Sequence, residues 1–464
     1  MNLIPKISLV SLSGKIFTWI ARRRLAWPCA LFLRIHIKKI LHAPCNEKPV
    51  NVLIIPKEGF IDDILSSLGG MDAFNVYSVY RSALKAIAAG ILDPSLDDNN
   101  YVSGDPAIEA SKSAYREFLA QVWSRLLPLI EFDAVLGGNF GYYAEHELAA
   151  ALEELGTPFI ALHKENLKSP GRAEFSSKVY RSRRGPFLGR KIFVYNNIER
   201  QLQVSSGVIS PDRVVVTGMS RLDRIHRWRK AQSGCKNRSE RPRVVFFSFW
   251  TKAGLPIVPR KSMSGMDKGY EMLDEDLADL NWKGLAKGCH QAVLQLAREN
   301  PEIKVIIKSK GRLRESSAMY AMLGERAEFP PNLEIVVGGD PFDLITASHV
   351  VCGFNSTSIL EAIAAGKPVV VPRFADALNE KLKPYIVDFE DAVEYAGSPD
   401  DLIDRLRGYA LNPGPTNKEL SPAAVRMLEK WVGNPDGLAG ERVFNVLLKE
   451  IERPITDSPD MRSE

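Results

Sequence analysis

The sequence predicts an α/β protein made of two Rossmann-like, doubly wound domains facing each other across a cleft. Three observations carry this expectation. From Val50 onward, strand-length apolar runs alternate with helix-period stretches, the pattern of parallel sheets crossed by helices. A basic, aperiodic interval around residues 226–242 splits that alternation in two. The run Val350 to Phe374, VVCGFNSTSILEAIAAGKPVVVPRF, reads as strand, hydroxyl-rich turn, helix, Gly-Lys-Pro stop and second strand.

Residues 1–48 stand apart. They hold nine Lys/Arg and one acid, a net of +8 in a chain of net +5, so the remainder sums to −3. Phe17, Trp19, Trp27 and Phe32 lie among the arginines, which suits a helix resting through residues 1–42 on an anionic lipid surface. A helix docked on the first domain fits equally well. No run reaches the roughly 18 apolar residues needed to span a bilayer; Leu25 to Leu33 is interrupted by Pro28 and flanked by Arg22, Arg23, Arg24 and Arg34.

The first domain is expected over residues 49–225. NVLIIP (51–56), FNVYSV (74–79), DAVLGGN (133–139), TPFIALH (157–163), KIFVYNN (191–197) and DRVVVTG (212–218) read as its strands. Helices are expected over 106–130, over 142–156 with Gly156 as the stop, and over 198–206. After the linker (226–242), RVVFFSFW (243–250), EIKVIIK (302–308), LEIVV (333–337), HVVCG (349–353) and PVVVP (368–372), with a helix over 283–300, define a second domain over 243–451. The polar tail 452–464 is expected to be disordered. Five cysteines fall in no ligand or disulfide spacing, which suits a reducing, cytoplasmic setting.

Open α/β sheets bind ligands at the carboxyl ends of their strands. In the second half those ends carry Lys308, Lys310 and Arg312, then Gly338 to Asp343, then Gly353 to Ser358. The last group places backbone N–H donors and three hydroxyls at a helix N-terminus, where the helix dipole favours negative charge, so it reads as a phosphate seat.

On these residues, positions 131–375 resemble the two-domain GT-B glycosyltransferases, particularly the bacterial surface-polysaccharide and capsule group, with the nucleotide-sugar 2-epimerases related to it. The resemblance is carried by HKE (163–165), VTGMSRLD (216–223) and DPFDLITASHVVCGFNSTSILEAIAAGKPVVVP (340–372). It implies that Ser356, Thr357 and Ser358 grip the donor phosphates and that Glu361 holds the ribose hydroxyls. Gly353 and Asn355 in the same turn, with Lys308, complete the expected donor site. Ser358-Ile-Leu-Glu361 also fits a capping box, which alone accounts for both end residues. Two features depart from the pattern: KSKGR follows the lysine strand where many such enzymes have His-Pro, and Glu361-Ala362 replaces the paired glutamates of the epimerases.

Glycosyl transfer needs a base for the acceptor hydroxyl. First-domain strand ends offer Glu58, Asp62, Asp63, Glu145, His146, His163 and Glu165, of which Glu165 and His163 are the first choice. His163 equally reads as a core histidine, and Glu145, His146 and Glu147 as a solvated first helical turn. The basic segment Lys164 to Lys191 reads as a mobile flap over an anionic substrate or as a solvated loop. No metal or cofactor is expected, Asp274 to Asp276 reading as a solvated turn, and no nucleic acid partner either. The implied activity is transfer of a sugar or phospho-polyol from a nucleotide-activated donor to a glycan or lipid-linked acceptor, as in capsule or lipopolysaccharide assembly at the inner face of a bacterial membrane. A nucleotide-sugar 2-epimerase and a non-catalytic nucleotide-sugar-binding subunit are the alternatives.

Overall fold

A computed structural model describes residues 6–43, 49–56, 60–68, 73–232, 241–261, 267–272, 277, 279–311, 313–324, 328–414 and 418–451. Glu58, Arg312, Asp274 to Asp276, the side chain of Asp62, residues 233–240 of the expected linker and the tail lie outside the described residues.

The chain opens with α1 (Lys6–Arg22), α2 (Ala26–His36) and β1 (Lys38–Leu41), then β2 (Val50–Ile55), α3 (Phe60–Leu68), β3 (Phe74–Ser78), α4 (Arg81–Ala88) and α5 (Pro106–Leu126). It continues through β4 (Ala134–Gly137), α6 (Tyr143–Glu154), β5 (Phe159–Leu162), α7 (Pro170–Val179), β6 (Lys191–Val194), α8 (Asn197–Ser205), β7 (Val214–Val216) and α9 (Leu222–Ala231). The strands are short aliphatic runs buried on both faces, as parallel sheets covered by helices require. They order as β1-β3-β2-β4-β5-β6-β7, parallel except for the β1 edge.

The second half of the chain runs through β8 (Arg243–Phe247), a separate two-stranded hairpin of β9 (Ile257–Lys261) and β10 (Asp267–Met272), α10 (Lys283–Glu299), β11 (Lys304–Ser309), α11 (Leu313–Leu323) and β12 (Leu333–Val337). α12 (Phe342–Thr346), β13 (Val350–Cys352), α13 (Thr357–Ala364), β14 (Val369–Pro372), β15 (Glu394–Ala396), α14 (Pro399–Leu411), α15 (Pro422–Val432) and α16 (Ala439–Ile451) follow. Its six-stranded sheet, ordered β12-β11-β8-β13-β14-β15, is parallel throughout. Counted by appearance this is 3-2-1-4-5-6, the Rossmann order, whose ligand crevice lies where the chain reverses direction, between β8 and β13. The doubly wound two-domain class expected from the sequence is therefore present.

Three regions depart from the sequence reading. First, α6 is not solvated at its start. Glu145, His146 and Glu147 are buried, because Arg81 pairs with Glu145 at 2.7 Å, Arg116 with Glu147 at 2.7 Å, and Tyr101 stacks on His146. Second, residues 222–231 form α9, so the first part of the expected linker (226–231) is helical. Its inner stripe Leu222, Ile225, His226 and Arg229 follows helical spacing but is half polar, so an apolar pattern does not reveal it. Third, the segment 164–191 is neither open flap nor solvated loop: Phe175 and Val179 of α7 pack on Val258 of the second domain, and Tyr180 is buried.

The two domains are knitted at several points. Val443 and Leu447 of α16 return to the first sheet beside Val52, Ile54 and Phe193. The β9/β10 hairpin reaches the first domain through Arg183–Glu271 at 2.6 Å, Arg260–Asp97 at 3.2 Å and an Asn99 Nδ2 donation to the Pro259 carbonyl at 3.0 Å. α1 and α2 dock on the first domain, placing Phe17, Ile20, Ala21, Cys29, Ala30 and Leu33 in its core.

Candidate functional site

The turn after β13 is built around Asn355, whose φ of +47° is a left-handed conformation that asparagine tolerates better than most residues. Its side chain faces the protein: Nδ2 donates to the Tyr385 carbonyl and Oδ1 accepts from Val387 N–H, each at 2.9 Å. Asn355 thus pins the loop beside the seat. Gly353 lies at the start of the turn against Ile359 and Phe247. Ser356 is the N-cap of α13, its hydroxyl accepting from Ser358 N–H at 3.2 Å. The capping box anticipated between Ser358 and Glu361 is absent, because the cap lies two residues earlier and Glu361 turns the other way.

Glu361 points across the domain boundary to Arg221, the residue preceding α9. Arg221 Nη2 lies 3.4 Å from both Glu361 Oε1 and Thr357 Oγ1, and Nη1 lies 3.4 Å from Asp63 Oδ2 on α3. Asp63 is held in turn by the Tyr195 hydroxyl at 2.9 Å, and its carbonyl accepts from Ser220 Oγ at 2.9 Å. One residue-turn away, Arg224 grips Asp340 through two bonds of 2.5 Å. Burial raises the Glu361 carboxyl above its ordinary range, with Arg221 opposing. Burial would also raise Asp340, but the Arg224 bond carries it below its ordinary value. Glu361 Oε2 and Asp63 Oδ1 are buried and accept no hydrogen bond among the described residues. Two acceptors are thus available within one arginine's span, beside a helix N-terminus and three hydroxyls.

Lys308 lies on the same sheet edge but two strands away, β8 standing between β11 and β13, or roughly 10 Å by the usual strand spacing. It is buried and its ammonium donates to the Gly338 carbonyl at 2.5 Å, so it secures the glycine turn after β12.

On the first domain, the loop after β5 separates its two expected bases. His163 is fully buried, with Nε2 3.1 Å from Glu199 Oε1, and burial lowers its pKa. It belongs to the interior, as the core-histidine alternative has it, and not to the exposed surface. The same carboxylate accepts from Tyr180 at 2.8 Å, from Gln203 at 2.9 Å and from Lys168 at 3.0 Å. Glu165, two residues on, is exposed. Asn166 fixes the loop by donating to the His163 carbonyl at 2.5 Å and accepting from Tyr195 N–H at 3.0 Å. Leu167 then packs against the second domain's core, and Arg172 donates to the Leu255 carbonyl at 2.7 Å, so this loop lies along the seam between domains.

Sequence reasoning named Asp63 only as one of several carboxylates and missed Arg221, Tyr195 and Glu199. Arg221 lies inside VTGMSRLD, where a cation immediately after a strand-end turn was the available signal.

No family model matches the chain, and no curated protein sequence matches it. Solved structures resemble it at low identity. A UDP-GlcNAc 2-epimerase from Neisseria meningitidis bound to UDP-GlcNAc aligns at 13% identity and TM-score 0.44, covering 86% of this chain and 100% of that one. A UDP-GlcNAc 2-epimerase from Methanocaldococcus jannaschii aligns at 12% identity and TM-score 0.46, over 86% and 99%. A UDP-forming α,α-trehalose-phosphate synthase from Burkholderia xenovorans aligns at 12% and 0.44, over 88% and 100%.

Proposed function

We propose that the protein is a GT-B-like glycosyltransferase that moves a sugar or phospho-polyol from a nucleotide-activated donor to a surface-glycan or lipid-linked acceptor. The observation supporting this most directly is the N-terminus of α13 at the switch point of a 3-2-1-4-5-6 sheet, facing Arg221 across the domain boundary. In this reading the donor diphosphate rests on the amides and hydroxyls of Ser356, Thr357 and Ser358, and Arg221 supplies its counter-charge. Glu361 receives a ribose hydroxyl. Lys308 and Asn355 act one step back, by holding the glycine turn and the 385–387 loop. Glu165 takes the acceptor hydroxyl's proton as the acceptor oxygen bonds to the sugar carbon and the electron pair of the broken bond leaves on the nucleoside diphosphate; with a phospho-polyol donor the oxygen bonds to the distal phosphorus and the nucleoside monophosphate leaves.

Calorimetric titration with nucleoside diphosphates and their sugars tests the seat. Thr357→Val keeps the side-chain shape while removing a hydroxyl, and should weaken binding by about tenfold, the net worth of one hydrogen bond to a charged group. Equal affinities in the two proteins would remove the seat from consideration. Turnover then sorts the activities: nucleoside diphosphate (or, for a phospho-polyol donor, monophosphate) released only with acceptor marks a transferase, a new sugar nucleotide formed from donor alone an epimerase, and binding without either a non-catalytic subunit.

A further inference from the structure

The α1–α2 pair buries one side of each helix and leaves the other exposed. On α1 the outward stripe is Leu12, Lys15, Ile16, Trp19 and Arg22, spaced three and four apart as one helical face requires, and Arg23 continues it into the turn. On α2 it is Trp27, Leu31, Arg34 and Ile35. Trp19 is 57% exposed, Trp27 49% and Ile35 73%, unusual values for side chains of this size on a surface with a core directly beneath it. The stripes meet at the turn Arg23–Leu25, where Arg24 adopts φ +54° and donates to the Ala114 carbonyl of α5 at 2.7 Å, tying the tip to the first domain.

We propose that this face is a docking surface for anionic lipid bilayers, with Trp19, Trp27, Leu31 and Ile35 entering the interface and Lys15, Arg22, Arg23 and Arg34 meeting the headgroups. Charge selects this occupant. Large aromatic and aliphatic side chains alternating with arginines match the layered polarity of a lipid interface, where the rings sit at headgroup level and the cations find phosphates. Residues 6–43 hold no Asp or Glu, so the face offers cations alone and calls for a partner that supplies negative charge across its whole surface, as a layer of anionic headgroups does. The helices are already docked on α4 and α5, so insertion needs no refolding. Among the described residues no helix is long and apolar enough to cross a membrane, so the contact is interfacial. The surface stands independently of the chemistry in the cleft.

Sedimentation of the full chain with vesicles tests it, comparing phosphatidylcholine alone with mixtures containing phosphatidylglycerol. Binding should require the anionic lipid and weaken with added salt. Trp19→Ser/Trp27→Ser and Arg22→Glu/Arg23→Glu should each reduce the bound fraction by about tenfold or more while melting temperature and nucleotide affinity stay unchanged. Three results would overturn the proposal: no binding by the wild type, equal binding by the variants, or a wild-type dimer that dissociates on the tryptophan changes, which would make the face a contact between copies.

Discussion

Arg221 Nη2 lies 3.4 Å from Glu361 Oε1, joining the turn that leaves the first sheet to the helix that opens the proposed donor seat in the second. The same guanidinium stands 3.4 Å from Asp63, so one cation answers two buried carboxylates from opposite domains. Burial disfavours its charge, but Asp63 and Glu361 together hold it protonated well above the ordinary arginine value.

Removing that cation should be far worse than removing the whole cluster. Arg221→Met leaves Asp63 and Glu361 buried without the cation they share and should cost about 3–5 kcal/mol of unfolding free energy. Adding Asp63→Asn and Glu361→Gln to it should restore much of the loss, since neutral groups of similar shape carry a smaller desolvation penalty. Urea unfolding of the single and triple variants measures both. A single variant within about 0.5 kcal/mol of wild type would mean the arginine carries no structural charge balance.

Two glycines set how closely the domains meet. Gly218, at φ +88°, faces Gly433, at φ +58° on the cap of α15; a Cβ on Gly218 would lie 2.4 Å from the Gly433 carbonyl, and one on Gly433 would lie 1.8 Å from the Tyr195 carbonyl. Backbone cannot move aside as a side chain can, so Gly433→Ala should cost more than about 4 kcal/mol and lower the melting temperature sharply. Gly207 shares the left-handed backbone at φ +72° but has open space around it. Gly207→Ala should therefore cost only about 1–2 kcal/mol, the strain term alone. Similar melting temperatures for the two variants would show that the contact, not the backbone angle, has been overvalued.

What the sequence revealed follows from which forces leave a periodic trace. RVVFF, KVIIK and VVVP are aliphatic runs, so the second sheet and the turn at Ser356 were legible. Charge buried by pairing leaves none. α6 looked solvated because Glu145 and Glu147 are written as charges, while their partners Arg81 and Arg116 lie 64 and 31 residues away. Arg221 and Glu361 are 140 residues apart, and Asp63 and Arg221 158, so no local window could pair them. β9 and β10, IVPRK and DKGYEM, are too polar to read as strands, yet this hairpin reaches across to Asp97 and Arg183. His163 was ambiguous in sequence and interior in the fold, where Glu199 of α8 meets it from 36 residues along the chain.

The buried His163–Glu199–Lys168 group makes stability depend on acid in a calculable direction. Burial alone would raise the Glu199 carboxyl, but Lys168 and His163 outweigh it and hold it at about 2 against an ordinary 4.5. A depressed acid stabilises the fold above its unfolded value and loses that contribution as pH falls from about 4.5 toward about 2, here on the order of 3 kcal/mol. Burial also lowers His146, His226 and His290, each to about 4, as well as His163, so the unfolded chain takes up these protons first and stability already begins to decline below about 6.5. Unfolding free energy measured from pH 7 down to pH 3 should fall in both intervals. Glu199→Gln should lower the neutral-pH value and flatten the slope below 4.5; an unchanged slope there would place the acid sensitivity elsewhere.

Glu165 offers the sharpest division between chemistry and stability. Its neighbours are fixed, since Asn166 clamps the loop between His163 and Tyr195 and Lys168 donates to the Glu165 carbonyl, while its own side chain is exposed along the domain seam. Glu165→Gln preserves shape while removing the proton acceptor and the charge it presents to Lys168 and Arg172. If it is the acceptor's base, kcat should fall by about 10²–10⁴ while nucleotide affinity and melting temperature remain at wild-type values. His163→Asn should do the reverse, lowering stability by stripping a contact from Glu199 and leaving the acid limb of the pH–rate profile in place. A Glu165→Gln enzyme with wild-type kcat would remove Glu165 from the mechanism and turn attention to Asp63, the carboxylate that already faces the second domain through Arg221.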